Sequence, residues 1–356
     1  MKPLDFFKER AIRLRKLAEN AGLDAFLVTS QTNVSYLSGF LGHDSLVLIT
    51  RRRKYFITDS RYLEDARNTL HGFDIKLIKT SAYDALKELV DLDKIRRVGF
   101  EANDLSYGVA VQLKKKIRAA GGDLLPTIKM VESLRAIKDE FEIAAIKRSI
   151  KLTKTVMRDV MESVRPGLTE ESLARRIEKE FIDNGAKPGF DPIVASGANS
   201  SRPHARASSR KISKNSFIMI DIGCMLGSYN SDITRMAILG SAPKKFKTIY
   251  NIVHTAQQMA LEQIRPGASI SAVDFAARGY IHKKGFGKYF GHALGHGVGM
   301  AVHEDPSISR FNNAFLKEGM VITIEPAIYL PGFGGVRIED MVLVTDKGYE
   351  NLTRRN

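Results

Sequence analysis

The apolar residues of the first 130 positions alternate between the period of a strand and the period of a helix. Short apolar runs predict strands, and helical repeats separate them. This order predicts an α/β domain with a mixed or parallel sheet. The predicted elements are a helix at about 5–21, strands at 24–30, 45–50 and 54–60, a helix at 61–70, a strand at 74–80, a helix at 82–90, a strand at 96–101 and a helix at 107–120.

The pattern changes near residue 130. One helical stretch is predicted over residues 131–164, in which Ile143, Ile146, Ile150 and Leu152 recur at roughly helical spacing. Helices and acid-bearing apolar strands then follow one another. We therefore predict an α/β domain over residues 1–128 and an α+β domain over residues 129–356.

The second predicted domain contains the same pattern twice. Arg165-Pro166-Gly167 ends one predicted helix, and Arg265-Pro266-Gly267 ends another. At a similar distance after each tripeptide comes an apolar strand that carries one acid, FIMIDIG and then VITIEPA. The repetition predicts an internal duplication about a pseudo-twofold axis. The alternative is a chance coincidence of two tripeptides.

Four carboxylates lie in otherwise apolar strands of this domain: Asp221, Asp232, Glu325 and Glu339. An acid in such a strand is costly unless it is paired or bound to a metal. Four of them together would repel one another, which raises their pKa values. Two divalent cations would remove that conflict. The alternative is that Arg235 and Arg337 pair with the acids, but two arginines cannot neutralise four carboxylates.

A histidine-rich segment, GHALGHGVGMAVHEDP, lies between the two acid-bearing regions. It contains His292, His296 and His303, and we predict that it contributes to a metal or proton-transfer site. His296 and His303 are seven residues apart, which on a regular strand would place them on opposite faces. The glycines must therefore break the strand if both histidines reach one site.

Such a site has a predictable chemistry. A carboxylate-rich pair of metal ions holds a bridging water and lowers its pKa, so attack of metal-bound hydroxide on an amide is the expected reaction. Oxygen-rich ligands favour two ions of Mn²⁺ or Co²⁺, with Zn²⁺ or Fe²⁺ as alternatives.

The chain is basic, with 55 Lys and Arg against 40 Asp and Glu and a formal net charge of +15. The excess is divided almost equally between residues 1–130 and 131–356, whereas a nucleic-acid-binding module would concentrate it on one face. We therefore interpret the clusters at 51–54 and 114–116 as solvated surface and expect no nucleic-acid partner.

The single cysteine, Cys224, excludes an intramolecular disulfide and a four-cysteine zinc site. The N-terminus has no uninterrupted apolar region of a secretory signal, and no run approaches the roughly 18 apolar residues of a membrane span. We expect a cytoplasmic protein without a membrane partner.

Several segments resemble one known family. The sequence is similar to the pita-bread metallopeptidases that carry a creatinase-type N-terminal domain, a group that comprises Xaa-Pro dipeptidases (prolidases) and Xaa-Pro aminopeptidases. The likeness extends over essentially the whole chain. It rests on NVSYLSGF, ITDSRY, LRAIKDEFEI, FDPIVASGANSSRPHA, MIDIGCMLGSYNSDITR, GHALGHGVGMAVHEDP and ITIEPAIYLPGFGGVRIED.

The resemblance implies a set of metal ligands. Asp221 would chelate one ion with both oxygens, Asp232 and Glu339 would bridge two ions, and His296 and Glu325 would complete the other. Glu325 would also act as the general base.

Further residues are implied around the substrate. His303 and His204 would contact the substrate carbonyl and stabilise the developing oxyanion, and His292 would line the proline pocket. Arg337 and Thr234 would orient the metal ligands, and Arg337 would also contribute to substrate binding. Phe190 and Tyr329 are candidate pocket walls, with core packing as the equal alternative.

The resemblance further implies hydrolysis of the Xaa-Pro bond at the N-terminus of dipeptides or short peptides, by a protein that commonly forms homodimers. A dipeptidase must sense the substrate carboxylate, for which Arg202 and Arg206 are candidates and plain solvent exposure is the alternative. The runner-up is a non-catalytic or nucleic-acid-binding protein on the same scaffold. The complete ligand set weighs against it.

Overall fold

The computed structural model describes residues 3–354. The chain divides into two compact units between Arg135 and Ala136. The sequence-based domain boundary lies a few residues earlier, at 128 and 129. In the part of the chain that is described, no helix has the length and apolar character that a membrane crossing requires.

The N-terminal unit is a six-stranded mixed sheet with helices, as its alternating pattern predicts. The strand order is β4-β3-β2-β1-β5-β6. Within it β1 is antiparallel to β2 and parallel to β5. Its elements are α1 (Pro3–Asn20), β1 (Ala25–Val28), α2 (Gln31–Ser38), β2 (Leu46–Thr50), β3 (Lys54–Thr58), α3 (Leu63–Thr69), β4 (Asp74–Leu77), α4 (Ala82–Leu92), β5 (Arg97–Glu101), α5 (Tyr107–Ala119), β6 (Asp123–Thr127) and α6 (Met130–Arg135).

The C-terminal unit contains four long helices and several small antiparallel sheets. Its helices are α7 (Glu140–Ser163), α8 (Glu170–Asp183), α9 (Lys244–Leu261) and α10 (Ile270–Lys283). Its strands are β7 (Lys187–Pro188), β8 (Ile193–Ser196), β9 (Ser216–Ile222), β10 (Cys224–Leu226), β11 (Tyr229–Asn230), β12 (Ile233–Leu239), β13 (Gly295–Gly297), β14 (Glu304–Ile308), β15 (Val321–Ile324), β16 (Ala327–Leu330), β17 (Gly334–Arg337), β18 (Asp340–Val344) and β19 (Tyr349–Asn351).

One continuous helix over residues 131–164 is a wrong prediction. The chain leaves the helical conformation after α6 and starts again at α7, because Asp139 caps the new helix. The Asp139 side chain accepts a hydrogen bond from the Glu142 amide at 2.9 Å, and the Glu142 carboxylate accepts one from the Asp139 amide at 3.2 Å. This capping box starts a helix irrespective of the periodicity across it.

The internal duplication is confirmed by the backbone hydrogen bonds that follow each Arg-Pro-Gly tripeptide. In the first half of the unit (residues 140–239), the Gly167 amide donates to Ile212 O at 2.9 Å. In the second half (residues 244–351), the Gly267 amide donates to Leu316 O at the same distance. Both glycines have a positive φ, +88° and +79°. A residue with a side chain is strained in that conformation, which explains why glycine recurs.

The acid-bearing strands lie in the hydrophobic core of the C-terminal unit. All seven residues of β9 and all four residues of β15 are buried. They form antiparallel pairs, β9 with β12 and β15 with β18. Carboxylates on these strands are therefore held in fixed positions within an apolar surrounding.

Candidate metal centre

The four predicted acids lie in or beside the two antiparallel pairs. Asp221 lies within β9, and Asp232 directly precedes β12. Glu325 directly follows β15, and Glu339 directly precedes β18. Each half of the C-terminal unit therefore supplies two acids, as the duplicated pattern predicts.

The centre of the site is a group of three side chains. Asp232, His296 and Glu339 each offer a ligand atom, and these atoms all lie within 4.8 Å of one another. Glu325 adjoins the group, because its Oε1 lies 3.4 Å from His296 Nε2. Asp232 Oδ2 lies 3.7 Å from the same nitrogen. Two ligands of one ion, each at about 2.1 Å, are separated by a comparable distance.

His296 presents an unprotonated nitrogen to these carboxylates. Its Nδ1 lies 3.1 Å from Gly297 O, which favours the tautomer with the proton on Nδ1. Burial and, to a smaller extent, the neighbouring His303 lower the pKa of His296 to about 4. A neutral Nε2 lone pair that faces two carboxylates is repelled by them, and a cation between the groups would reverse that repulsion.

The acids also repel one another. Burial raises the pKa of Asp232 well above its usual range, and the charges of Glu339, Asp221 and Glu325 add to the rise. Burial also raises the pKa of Glu339 well above its usual range, and the charges of Glu325 and Asp221 add to the rise. Burial raises the pKa of Glu325 to about 7. This is the electrostatic conflict that the sequence predicts for acids without a cation.

Arg235 and Arg337, the alternative partners of the acids, do not remove the repulsion among the four carboxylates. Arg337 forms an ion pair with Asp221. Arg235 instead pairs with Asp340, a fifth acid, at 2.6 Å. Among residues 3–354, no Lys or Arg forms an ion pair with the remaining three acids, Asp232, Glu325 and Glu339.

Asp221 provides a further indication of a cation. Its Oδ2 is paired with Arg337, whereas its Oδ1 is buried and has no hydrogen-bond partner among the described residues. A buried carboxylate oxygen without a partner is rare in folded proteins. The donor set of carboxylate oxygens and one neutral imidazole fits a divalent transition metal.

His303 lies beside His296 because the chain reverses between them. His296 lies in β13, His303 directly precedes β14, and the two strands are antiparallel. Their ring centroids are 4.2 Å apart. The strand is therefore broken as expected. Burial lowers the pKa of His303, and nearby His204 lowers it further.

His292 belongs to a chain of hydrogen bonds. Arg337 Nη1 donates to the Tyr329 hydroxyl at 2.6 Å, and that hydroxyl lies 3.3 Å from His292 Nε2. His292 Nδ1 lies 2.7 Å from Ala293 O. Burial lowers the pKa of His292 to about 4, so the ring is neutral at pH 7. The tyrosine hydroxyl can then donate to Nε2, which fixes the orientation of the ring.

The remaining predicted residues lie at the edge of this arrangement. His204, Arg202 and Arg206 are exposed on the loop that follows β8. Phe190 is half-buried, and its ring packs against Gly223, two residues after Asp221. A Cβ at position 223 would lie only 2.7 Å from that ring.

Arg337 has a wider set of contacts than the sequence indicates. Its Nε donates to the Thr234 hydroxyl at 3.0 Å, and its Nη1 also donates to Pro203 O at 3.2 Å. The Thr234 hydroxyl in turn donates to Glu339 Oε2 at 2.6 Å. Arg337 thus connects a predicted ligand, a pocket residue and the loop of His204.

Sequence reasoning missed Thr323. Its hydroxyl accepts from the His296 amide at 3.0 Å and donates to Glu325 Oε1 at 3.2 Å. The available signal was strand periodicity, because residue 323 shares a strand face with residue 325.

Comparisons with known proteins identify the family of this chain. The model of metallopeptidase family M24 matches residues 144–346, and the creatinase/prolidase N-terminal domain matches residues 10–137. The chain belongs to metallopeptidase family M24, with a creatinase-type N-terminal domain before a pita-bread domain. The predicted fold and family are confirmed.

Among its relatives, an Xaa-Pro dipeptidase of Pyrococcus horikoshii is 36% identical, over 99% of this chain and 98% of the relative. Among solved structures, an Xaa-Pro dipeptidase from Bacillus anthracis is 36% identical, with a TM-score of 0.94 and 98% of each chain covered. An X-Pro aminopeptidase from Thermotoga maritima is 34% identical, with a TM-score of 0.88 over 96% of this chain and 98% of that one.

Proposed function

We propose that this metallopeptidase is an exopeptidase that hydrolyses the Xaa-Pro bond at the N-terminus of dipeptides or short peptides. The observation that carries the proposal is the group of Asp232, His296 and Glu339 beside Glu325, in a chain whose full-length relatives include Xaa-Pro dipeptidases. An X-Pro aminopeptidase among the similar structures keeps longer peptides within the proposal.

We assign two divalent ions to the five side chains Asp221, Asp232, His296, Glu325 and Glu339. The unpartnered Asp221 Oδ1 and the unprotonated His296 Nε2 support this assignment. When bound, divalent ions supply the Lewis-acid charge that activates water and polarises the scissile carbonyl.

Glu325 is assigned the role of general base. Its Oε1 accepts a hydrogen bond from Thr323, which fixes the carboxylate beside His296. Without a metal, burial raises its pKa to about 7. A bound cation would keep the group ionised, and a base must be ionised to accept a proton.

His303 and His204 are assigned to the substrate carbonyl. Both residues are exposed, and His204 is close enough to His303 to lower its pKa. An imidazole N–H can donate to the oxygen on which negative charge develops, which stabilises the transition state more than the ground state.

His292 and Tyr329 are assigned to one wall of the proline pocket. The two ring centroids are 5.8 Å apart, and Phe290 packs edge-on against His292 at 5.0 Å. A neutral imidazole between two aromatic rings offers a largely apolar surface, which suits a pyrrolidine ring.

The test is release of the free N-terminal amino acid from an Xaa-Pro dipeptide and from an Xaa-Pro-Yaa tripeptide. Both are incubated with added Mn²⁺ or Co²⁺, and again with chelator. We expect chelator-sensitive cleavage, and cleavage of the dipeptide alone identifies a dipeptidase. Asp232→Ala should abolish metal binding and cleavage, whereas Asp191→Ala, an exposed acid of the same half, should preserve both.

If the metal-loaded protein cleaves neither peptide, the Xaa-Pro assignment is wrong. If Asp232→Ala retains its metal and its activity, the ligand assignment is wrong.

A further inference from the structure

The segment from Ser196, the last residue of β8, to Ser208 carries His204 and is here called the His204 loop. One side of it packs against β17. The Gly335 amide donates to the Ser200 hydroxyl at 2.8 Å, and Pro203 O accepts from Arg337 Nη1 at 3.2 Å. A Cβ built on Gly335 would lie 2.3 Å from Ser200 O, so only glycine permits this close approach.

The other side of the loop is held by Glu170, the first residue of α8. Its Oε1 accepts from the Ser196 amide at 2.7 Å and from the Ser196 hydroxyl at 2.8 Å. Its Oε2 accepts from the Asn199 side-chain amide at 2.7 Å, the Ser208 hydroxyl at 2.7 Å and the Ser208 amide at 3.2 Å. All five donors belong to the His204 loop.

Glu170 is fully buried, with 0% of its surface exposed. Among residues 3–354 it forms no ion pair with a Lys, an Arg or a His. A buried carboxylate without a cation is expensive unless hydrogen bonds satisfy it. Here the loop itself supplies those hydrogen bonds, and charge-assisted hydrogen bonds are among the stronger ones.

The geometry of these bonds constrains the loop at both ends. Ser196 is its first residue and Ser208 its last, and both are bound to the same carboxylate. The path of eleven residues between them is therefore closed at its base, and Arg337 holds its middle at Pro203. His204 directly follows Pro203, so its position depends on both anchors.

We propose that Glu170 is a positioning residue for the peptidase reaction, which acts by holding the His204 loop so that His204 faces the metal centre. The inference rests on the proposed function of His204 as a contact of the substrate carbonyl. Glu170 itself touches neither the predicted ligands nor the substrate.

Glu170→Gln is the variant that tests the proposal. The amide has nearly the same shape, but its NH₂ group is a donor and would face donors at one of the two oxygen positions. One end of the loop is then released. Glu171→Gln is the matched control, because Glu171 lies at the same helix start and keeps its backbone bond to Ser208 O. Among the described residues, its carboxylate pairs only with Arg175.

The first readout is kinetic. We expect Glu170→Gln to lower kcat/KM about 10- to 100-fold with an unchanged metal content, since small displacements of a catalytic group have effects of that size. The double variant Glu170→Gln/His204→Ala should be no slower than His204→Ala alone, because both changes remove the same contribution. Additive losses in the double variant, or an unchanged kcat/KM in the single one, would overturn the proposal.

The second readout does not depend on peptidase activity. Trypsin cleaves after Arg206 only when the loop opens far enough to enter the protease. We expect faster cleavage there in Glu170→Gln than in wild type and in Glu171→Gln, detected by mass spectrometry. Equal rates would overturn the proposal, even if the wild-type protein cleaves no Xaa-Pro peptide and the proposed function fails separately.

If Glu170→Gln does not fold, as judged by circular dichroism, Ser208→Ala takes its place. This change removes one of the five hydrogen bonds and leaves the carboxylate in place. The same direction is expected, with a smaller effect on kcat/KM and on cleavage after Arg206. No effect on either would contradict the proposed role.

Discussion

The two halves of the C-terminal unit hold their histidine-bearing segments through hydrogen bonds of opposite polarity. In the first half, Glu170 accepts hydrogen bonds from the N–H and O–H groups of the His204 loop. In the second half, the equivalent helix position is Ile270, which is buried and apolar. The two positions correspond because the Glu170 amide donates to Arg210 O and the Ile270 amide to Ala314 O.

The second half places its acid one helical turn later. Asp274 is fully buried and accepts two hydrogen bonds of 2.7 Å from Arg278. Arg278 also donates to Phe290 O at 2.9 Å and to His292 O at 2.7 Å. Both halves therefore hold the histidine-bearing segment from the first turns of a helix. Where the segment presents N–H and O–H donors, an acid alone holds it. Where it presents carbonyl oxygens, an arginine that is paired with a buried acid holds it.

The largest effect is expected from breaking the pair in the second half. Arg278→Met leaves the fully buried Asp274 carboxylate without its arginine and two carbonyl groups without a donor. Removing one member of a buried ion pair costs about 3–5 kcal/mol. We expect the free energy of unfolding, measured by urea denaturation, to fall by about that amount.

The double variant Asp274→Asn/Arg278→Met is the control for this prediction, because it removes the uncompensated charge as well. It should be more stable than Arg278→Met alone. If Arg278→Met unfolds at the same urea concentration as wild type, the pair is not what holds this segment, and the contrast between the halves fails.

At the metal centre the contrast disappears, because acids from both halves face one another there. Burial raises the folded-state pKa of Asp232 and Glu339, and raises that of Glu325 to about 7. Without metal, the folded state then binds more protons than the unfolded state above about pH 4.5, so stability falls as the pH rises. For Glu325 the fall spans about pH 4.5–7 and is on the order of 3 kcal/mol.

Urea denaturation at pH 5 and pH 8, with chelator and with Mn²⁺, measures this difference. Ligand carboxylates must be ionised to bind a metal, so the loaded protein should not lose stability over this range. The chelated Asp232→Asn variant should show a weaker pH dependence, because one of the repelling charges is absent. Identical pH dependence with and without metal would contradict the assignment of these acids to one centre.

Much of the fold follows from local pattern, and the failures have local causes. The duplication was visible because each half repeats a turn that requires glycine and a strand that contains an acid. Strand β6 was missed because Pro126 interrupts its apolar pattern. A proline is tolerated there because β6 lies at the edge of the sheet. Helix α2 was missed because most of its residues are poor helix formers. Gly39, in the left-handed conformation at φ +75°, marks its end.

The candidate site was predictable only as far as single residues reveal their chemistry. An acid in an apolar strand stands out, and so do clustered histidines among glycines. The contacts of Arg337 could not be read from the sequence, because Thr234, Tyr329 and Pro203 approach it from distant parts of the chain. Glu170 resembled an ordinary acid in the first turn of a helix, and only its burial against the loop distinguishes it.

The smallest predicted effects compare two threonines, one in each half, that are both fully buried. Thr234 contacts Glu339 and Arg337, whereas Thr323 contacts Glu325 and the His296 amide. Replacement by valine keeps the shape and removes the hydroxyl. Each change should lower the free energy of unfolding by about 1–3 kcal/mol and lower the metal affinity about 10-fold or more.

Thr234→Val should have the larger effect on stability, because it leaves the Nε of a buried arginine, Arg337, without an acceptor. Urea denaturation and metal titration of the two variants measure this order, and a larger loss of stability in Thr323→Val would show that the arginine is not the organising group.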